Sequence, residues 1–280
     1  MTGRHVLLTG GSRGIGLAVA RMLAERGARL TLLARSVDDL SIAVRELPGD
    51  GHRVHALDVA DEDAWRAFAA DIGELHGLVC AAGALGPIGI PGSYAPADFT
   101  RTIEVNLVGT LLAIHHCLPA LRLGRGAIVL FSGGGATAPL PRYDAYAASK
   151  AAVVRLGENM AGELRELGVR INSVAPGFVA TRMHEGTLAA GAEIAGADYY
   201  RKTRLQLESG AVPAEEAAEL TCLLLGPEEL APFTGKLISA QWDPWREEGF
   251  RARLAREKDL ATLRRIDETM FGALVAEAPA

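Results

Sequence analysis

The chain has little cysteine, few aromatic residues, no long unbroken apolar run and no surplus of positive charge. Its three cysteines, Cys80, Cys117 and Cys222, are odd in number and far apart. That spacing excludes a disulfide framework and a cysteine-based metal site, so no metal is expected. Cys80 and Cys222 sit in apolar stretches and read as buried, reduced thiols. The first apolar run, Val6-Leu7-Leu8, is too short for a secretory signal and leads straight into glycines. No unbroken apolar run is long enough to span a bilayer. The formal net charge is -5 and the pI about 5.8, and the densest basic clusters, such as Arg264-Arg265, are short. Nucleic acid and membrane are therefore not expected as partners, and the expectation is a cytoplasmic protein acting on a small molecule.

What remains is an ordinary globular composition: 280 residues, 49% hydrophobic and 22% charged. That length supports one sizeable core with an extension. Short apolar runs predict strands at His5–Thr9, Arg29–Ala34, Arg53–Leu57, Leu78–Ala81, Ala127–Phe131, Val169–Val174 and Lys236–Ser239. Amphipathic stretches between them predict helices at Ile15–Arg26, Glu62–Ile72, Val105–Leu121 and Ala147–Glu166. This βαβα rhythm predicts an α/β fold, a doubly wound parallel sheet with helices on both faces. Ligands of such sheets bind at the carboxyl ends of the strands. We divide the chain into a main domain, 1–241, and a C-terminal extension, 242–280. A segment at about 184–210 interrupts the rhythm and is expected to form helices that cover the cleft. Arg246–Met270 is charged and helical in pattern.

Two motifs carry chemistry. Thr9-Gly10-Gly11-Ser12-Arg13-Gly14-Ile15-Gly16 follows a strand and opens a helix. Glycines there permit a tight turn and close approach of backbone to a pyrophosphate, which the helix N-terminus attracts. Gly10, Ser12, Arg13, Gly14, Ile15 and Gly16 are thus candidate cofactor contacts. The second strand ends in Ala34-Arg35-Ser36, with no acidic residue for a ribose 2′-hydroxyl. Arg35 with Arg13 suits a 2′-phosphate, so the cofactor is expected to be NADP(H). Asp58 and Val59, after the third strand, are candidates to border the adenine. The second motif is Tyr146-Ala-Ala-Ser-Lys150. Its tyrosine and lysine, four apart, share a helix face. The ammonium is expected to lower the phenol pKa and ready it to exchange a proton with an alcohol or ketone oxygen.

These residues, with Ala81-Ala82-Gly83, Asn106 and Asn172-Ser173-Val174-Ala175-Pro176-Gly177 in the same order, resemble the short-chain dehydrogenase/reductase family. The resemblance runs from about His5 to Gly235. It implies a seven-stranded Rossmann sheet and a homodimer or homotetramer. It also implies Tyr146 as general acid/base and Lys150 as ligand of the nicotinamide ribose. Asn106 would hold a water in a proton relay. Ala82, Gly83, Pro176, Gly177, Val179 and Thr181 would lie along the cofactor. One catalytic position departs. The family's catalytic serine stands thirteen residues before the tyrosine, where this chain has Gly133. Ser132, one residue earlier, is our candidate for that role, with Thr137 as substitute.

The function expected is a secondary alcohol/ketone oxidoreductase. His184, Tyr199, Tyr200 and Arg201 in the covering segment, with Trp242 and Trp245, suggest a polar sugar- or cyclitol-like substrate. A polyketide or acyl ketoreductase, a redox-neutral epimerase that retains its cofactor, and a non-catalytic NADP(H) sensor are the alternatives.

Overall fold

Seven of the chain's apolar segments form strands in the computed structural model, which describes residues 1–265 and, for Arg182 and Met183, the backbone alone. The strands are β1 (His5–Thr9), β2 (Arg29–Ala34), β3 (Arg53–Ala56), β4 (Gly77–Cys80), β5 (Ala127–Phe131), β6 (Arg170–Ala175) and β7 (Leu237–Ser239). Each lies within one residue of its expected span. All pairings are parallel, in the order β3-β2-β1-β4-β5-β6-β7. The strand order reverses between β1 and β4, which opens a crevice at their carboxyl ends. Successive side chains of β1 serve opposite faces. Val6 and Leu8 enter one core and Leu7 the other. Burial on both faces explains why the strands read as unbroken apolar runs.

The helices are α1 (Gly14–Glu25), α2 (Val37–Arg45), α3 (Glu62–Ala69), α4 (Pro96–Ile103), α5 (Gly109–Leu123), α6 (Asp144–Glu166), α7 (Arg182–Ala195), α8 (Ala197–Glu208), α9 (Ala214–Leu225) and α10 (Glu248–Arg256). Residues of α1, α2 and α9 fill one core, and residues of α3, α5 and α6 the other. A π-helical turn, Glu104–Val108, fuses α4 and α5. The resulting helix, Pro96–Leu123, is 28 residues long and contains an 18-residue stretch with a mean hydropathy of 1.3, enough by length and composition to cross a bilayer. Glu104 and His115-His116 interrupt it, so no unbroken apolar run marks it in the sequence. It buries Ala113, Ile114, Cys117 and Leu121 against the sheet, as a core-facing helix does.

The described residues beyond β7 are bolted to the body. The buried Lys236 ammonium donates to the carbonyls of Glu257 (2.7 Å), Lys258 (2.9 Å) and Leu260 (2.9 Å). Along the free side of β7, the Leu237 N–H donates to Ala261 O (2.8 Å) and the Ser239 N–H to the Asp243 carboxylate (2.7 Å). Trp245 is buried, its indole N–H bonded to Ala240 O (3.0 Å), whereas Trp242 is 78% exposed. The Arg264 guanidinium is paired with Asp259 (2.8 Å) on the extension and with Glu158 (3.6 Å) on α6. Of the expected helix Arg246–Met270, only Glu248–Arg256 is helical among the described residues; 257–265 are turns and irregular chain, and the remainder lies outside them.

Arg170 ties β6 to the end of α9. Its guanidinium is buried and donates to the carbonyls of Leu224 (3.2 Å), Ala231 (3.1 Å) and Gly226 (2.7 Å). Arg170→Met leaves all three acceptors dry and is expected to destabilise the chain by about 3 kcal/mol, read from the shift of the urea midpoint.

Candidate active site

The carboxyl ends of β1, β4, β5 and β6 bring the two motifs to one crevice. After β1, Gly10 takes φ +69°, and a Cβ there would stand 2.7 Å from Ala82 N. A Cβ at Gly16 would collide with Gly10 O. Only glycine permits these approaches. The Thr9 hydroxyl accepts the Ala82 N–H (3.2 Å), joining β1 and β4 where the strand order reverses. Gly14 opens α1, and the N-cap residue Arg13 gives the first turn no side-chain hydrogen bond. The turn's N–H groups are left for a ligand, and the cradle fits a pyrophosphate. Arg13 and Arg35 are both exposed. Ser12 and Ile15 are half-buried beside them.

Asp58 is less available than the sequence implied. Its carboxylate is paired with the Arg101 guanidinium and accepts the Ala60 N–H (3.0 Å). Val59 is buried, and its carbonyl accepts the Trp65 indole N–H (2.9 Å). Both residues thus have structural partners at the end of β3.

Helix α6 carries Tyr146 and Lys150 on its buried face, 7% and 6% exposed. The Lys150 ammonium donates to Phe131 O at the end of β5 (2.9 Å) and lies 5.8 Å from the Tyr146 ring centroid. Asn106, in the π turn, is fully occupied. Its carbonyl oxygen accepts the Ala84 N–H (2.7 Å), and its amide donates to Ala84 O (2.9 Å) and to Ser149 Oγ (2.8 Å). Ser149 in turn donates to Tyr146 O (2.7 Å). A side chain on Gly83 would start 3.4 Å from Asn106 Oδ1 and 3.6 Å from Lys150 Nζ. Sequence reasoning quoted Ser149 without assigning it a part. The Phe131 carbonyl had no signal at all, since a backbone acceptor carries no residue type.

One electrostatic expectation is reversed. Burial pushes the Tyr146 phenol pKa up, and neighbouring Tyr199 adds to this. Burial also brings the Lys150 ammonium down to about 8, against a smaller opposing influence from Cys80. Desolvation penalises the charged form of each group and is the largest influence on both.

At the end of β5, Ser132 is buried and still paired to the sheet, its N–H donating to Val174 O (2.9 Å). Its hydroxyl has no partner. A Cβ on Gly133 would overlap the Tyr146 hydroxyl, so the phenol occupies the space that a side chain at 133 would need. Thr137 is exposed. After β6, Pro176 and Val179 are buried, and Gly177 takes φ +78° against Gln241. The Thr181 methyl lies 3.6 Å from where a Gly14 Cβ would stand, linking the start of α7 to the glycine turn. The covering segment forms helices α7 and α8, as expected. Tyr143 fixes it from below: its hydroxyl donates to Thr187 Oγ1 (3.1 Å), and its ring packs edge-on against Tyr199 at 5.0 Å. Arg142, at φ +74°, donates to Glu193 O (2.7 Å) and Ile194 O (3.1 Å) at the end of α7. Sequence reading missed both residues, although they stand three and four positions before Tyr146.

The depressed Lys150 pKa has a stability signature. Between about pH 8 and its unfolded value, the unfolded chain binds one proton more, so this group's contribution makes stability rise with pH. Lys150→Met is expected to flatten that rise and to stabilise the ligand-free chain at pH 7, as thermal melts of both proteins from pH 7 to 10.5 will show.

Against this geometry, comparison with known proteins is direct. The short chain dehydrogenase family model matches residues 4–190. The chain is 36% identical over 192 residues to a cis-4-hydroxycyclohexanecarboxylate dehydrogenase of Sinomonas cyclohexanicum, covering 65% of this chain and 76% of that protein. It is 34% identical over 196 residues to a levodione reductase of Leifsonia aquatica, covering 67% and 73%. Among solved structures it superposes on an actinorhodin polyketide ketoreductase with NADPH at a TM-score of 0.76 and 27% identity, covering 85% and 97% of the two chains. The nucleotide cradle, the tyrosine–lysine helix and the strand order therefore share one explanation: the chain belongs to the short-chain dehydrogenase/reductase family and is an oxidoreductase.

Proposed function

We propose that the chain interconverts a secondary alcohol and a ketone with NADP(H), using Tyr146 as general acid/base. The observation that carries this reading is the Tyr146–Lys150 pair, buried on one face of α6 beside a glycine cradle that fits a dinucleotide. The cofactor, when bound, supplies or accepts the hydride. Gly10, Gly14 and Gly16 would hold its pyrophosphate, Arg13 and Arg35 a 2′-phosphate. Ala82, Gly83, Pro176, Gly177, Val179 and Thr181 would line its further course. In reduction, the Tyr146 hydroxyl donates its proton to the carbonyl oxygen. The buried Lys150 ammonium stabilises the phenolate that forms and returns a proton to it. Asn106, bonded to Ser149 and the Ala84 backbone, positions the floor of this relay. Ser132 is the proposed second donor to the substrate oxygen, on the strength of its unpartnered hydroxyl. Asp58 and Val59 border the adenine only from the structural positions described.

The relatives' names include a hydroxycyclohexanecarboxylate, levodione and polyketides, which agrees with an alcohol/ketone reading. The sequence pointed instead to a sugar or cyclitol, through His184, Tyr199, Tyr200 and Arg201. The contacts of those residues lead to a different class, argued below. We further propose a cytoplasmic homodimer or homotetramer joined through α5 and α6, because Val108 (37%) and Leu111 (40%) are exposed on the fused helix.

Tyr146→Phe is expected to lower kcat by ~10²–10⁴ while NADPH binding, followed by nicotinamide fluorescence, is retained. Arg35→Asp is expected to reverse the cofactor preference, read as the ratio of kcat/KM for NADPH and NADH; an unchanged ratio would refute the role given to Arg35. Leu111→Glu is expected to yield monomers by light scattering.

A further inference from the structure

We infer that the substrate is a neutral, apolar ring ketone or its alcohol, seated against an aromatic cradle built from Tyr143, Tyr199 and Tyr200 with Leu85, Ile88 and Leu140. This rests on the oxidoreductase reading, because it takes the Tyr146 hydroxyl as the point where the substrate oxygen must lie. The carbon skeleton attached to that oxygen then meets whatever surrounds Tyr146. Tyr146, Tyr143 and Ala195 form a small core of their own, separate from the two that flank the sheet. Leu85, Leu140 and Ile88 of the cradle and both tyrosines of α8 pack on it. Aromatic faces and branched aliphatic groups favour a flat or fused hydrocarbon ring, which gains buried area and stacking.

Several polar groups nearby are already committed. The Tyr143 hydroxyl is bonded to Thr187. Arg142 spends its guanidinium on two carbonyls of α7, and Asp144 accepts the Tyr94 hydroxyl (2.7 Å). Arg201, which made the covering segment look polar, is paired with Asp198 (2.7 Å) on the exposed side of α8. His184 lies against the Phe178 ring at 3.9 Å, and burial favours its neutral form. Lys150 is bound to Phe131 O. Among the described side chains, then, the cradle offers no spare charge to a phosphate or carboxylate. A polyol would bring several hydroxyls against a wall made mostly of aromatic faces and branched aliphatic groups. An unpaired buried carboxylate costs several kcal/mol.

The test is a matched panel of ketones with NADPH. The arms are 1-decalone, 4-methylcyclohexanone, 4-oxocyclohexanecarboxylate (the same ring with a charge in place of the methyl) and a polyhydroxylated cyclohexanone. Wild type, Tyr146→Phe, Tyr199→Ala and Tyr199→Phe are assayed, and NADPH affinity is measured for each. We expect kcat/KM for the neutral rings to exceed that for the carboxylate and the polyol by at least about 100-fold. Tyr199→Ala should lower kcat/KM for 1-decalone at least tenfold, through KM, with NADPH affinity unchanged. Tyr199→Phe, which keeps the ring, should lower kcat/KM for 1-decalone by less than Tyr199→Ala does. Faster turnover of the carboxylate or the polyol would overturn the substrate class and leave the oxidoreductase reading standing. Undiminished decalone reduction by Tyr199→Ala would overturn the cradle. No turnover in any arm by a wild-type chain that binds NADPH would overturn both readings.

Discussion

The bond from the Lys150 ammonium to the Phe131 carbonyl is the constraint on which the site depends. It fastens a helix to the last residue of a central strand through a charge that water does not reach. The lysine accepts a pKa near 8 for that position. With α6 fixed in this register, the Tyr146 hydroxyl comes to rest over Gly133, Ser149 meets Asn106, and Tyr143 meets the covering helices. Each of these contacts follows from where one ammonium is held. The pair is therefore primed by geometry more than by charge. In the ligand-free chain, burial disfavours the charged form of both groups, and what holds them ready is their placement on one face of α6.

Much of this was legible in the sequence because it is local. Val6-Leu7-Leu8 and Ile128-Val129-Leu130-Phe131 announce strands buried on both faces, and the glycines from Gly10 to Gly16 announce the turn. What escaped was set by contacts distant along the chain. Asp58 reads as a free turn aspartate until the fold brings Arg101 against it. The π turn that aims Asn106 inward adds one residue to a helix whose period otherwise looks regular, so pattern reading merged it into its neighbours. Helix α2 is marked by a cap, Ser36 accepting the Asp39 N–H, by acidic residues in its first turn and by Arg45 in its last, and it buries only Leu40 and Ala43. The sign of the Tyr146 shift was misjudged because spacing reports a neighbour and says nothing of burial.

The covering segment teaches the same lesson about polarity. Tyrosine, histidine and arginine counted as letters suggest a wet, charged surface. Folded, the tyrosines show their rings to Tyr146, the histidine shows its ring to Phe178, and Arg201 turns outward to Asp198. Residue type gives a menu of behaviours, and packing selects among them.

The capped side of β7 has a consequence of its own. A sheet normally ends in a row of unspent donors that invites another strand. Here the extension supplies a carbonyl from Ala261 and a carboxylate from Asp243 to the outward N–H groups of Leu237 and Ser239. A foreign strand would have to strip away two bonds, and the lysine clasp behind them, before gaining any of its own. The appended residues thus act as a terminator for the sheet. They make that margin inert to accidental strand exchange and leave the helical faces as the surfaces on which association can proceed.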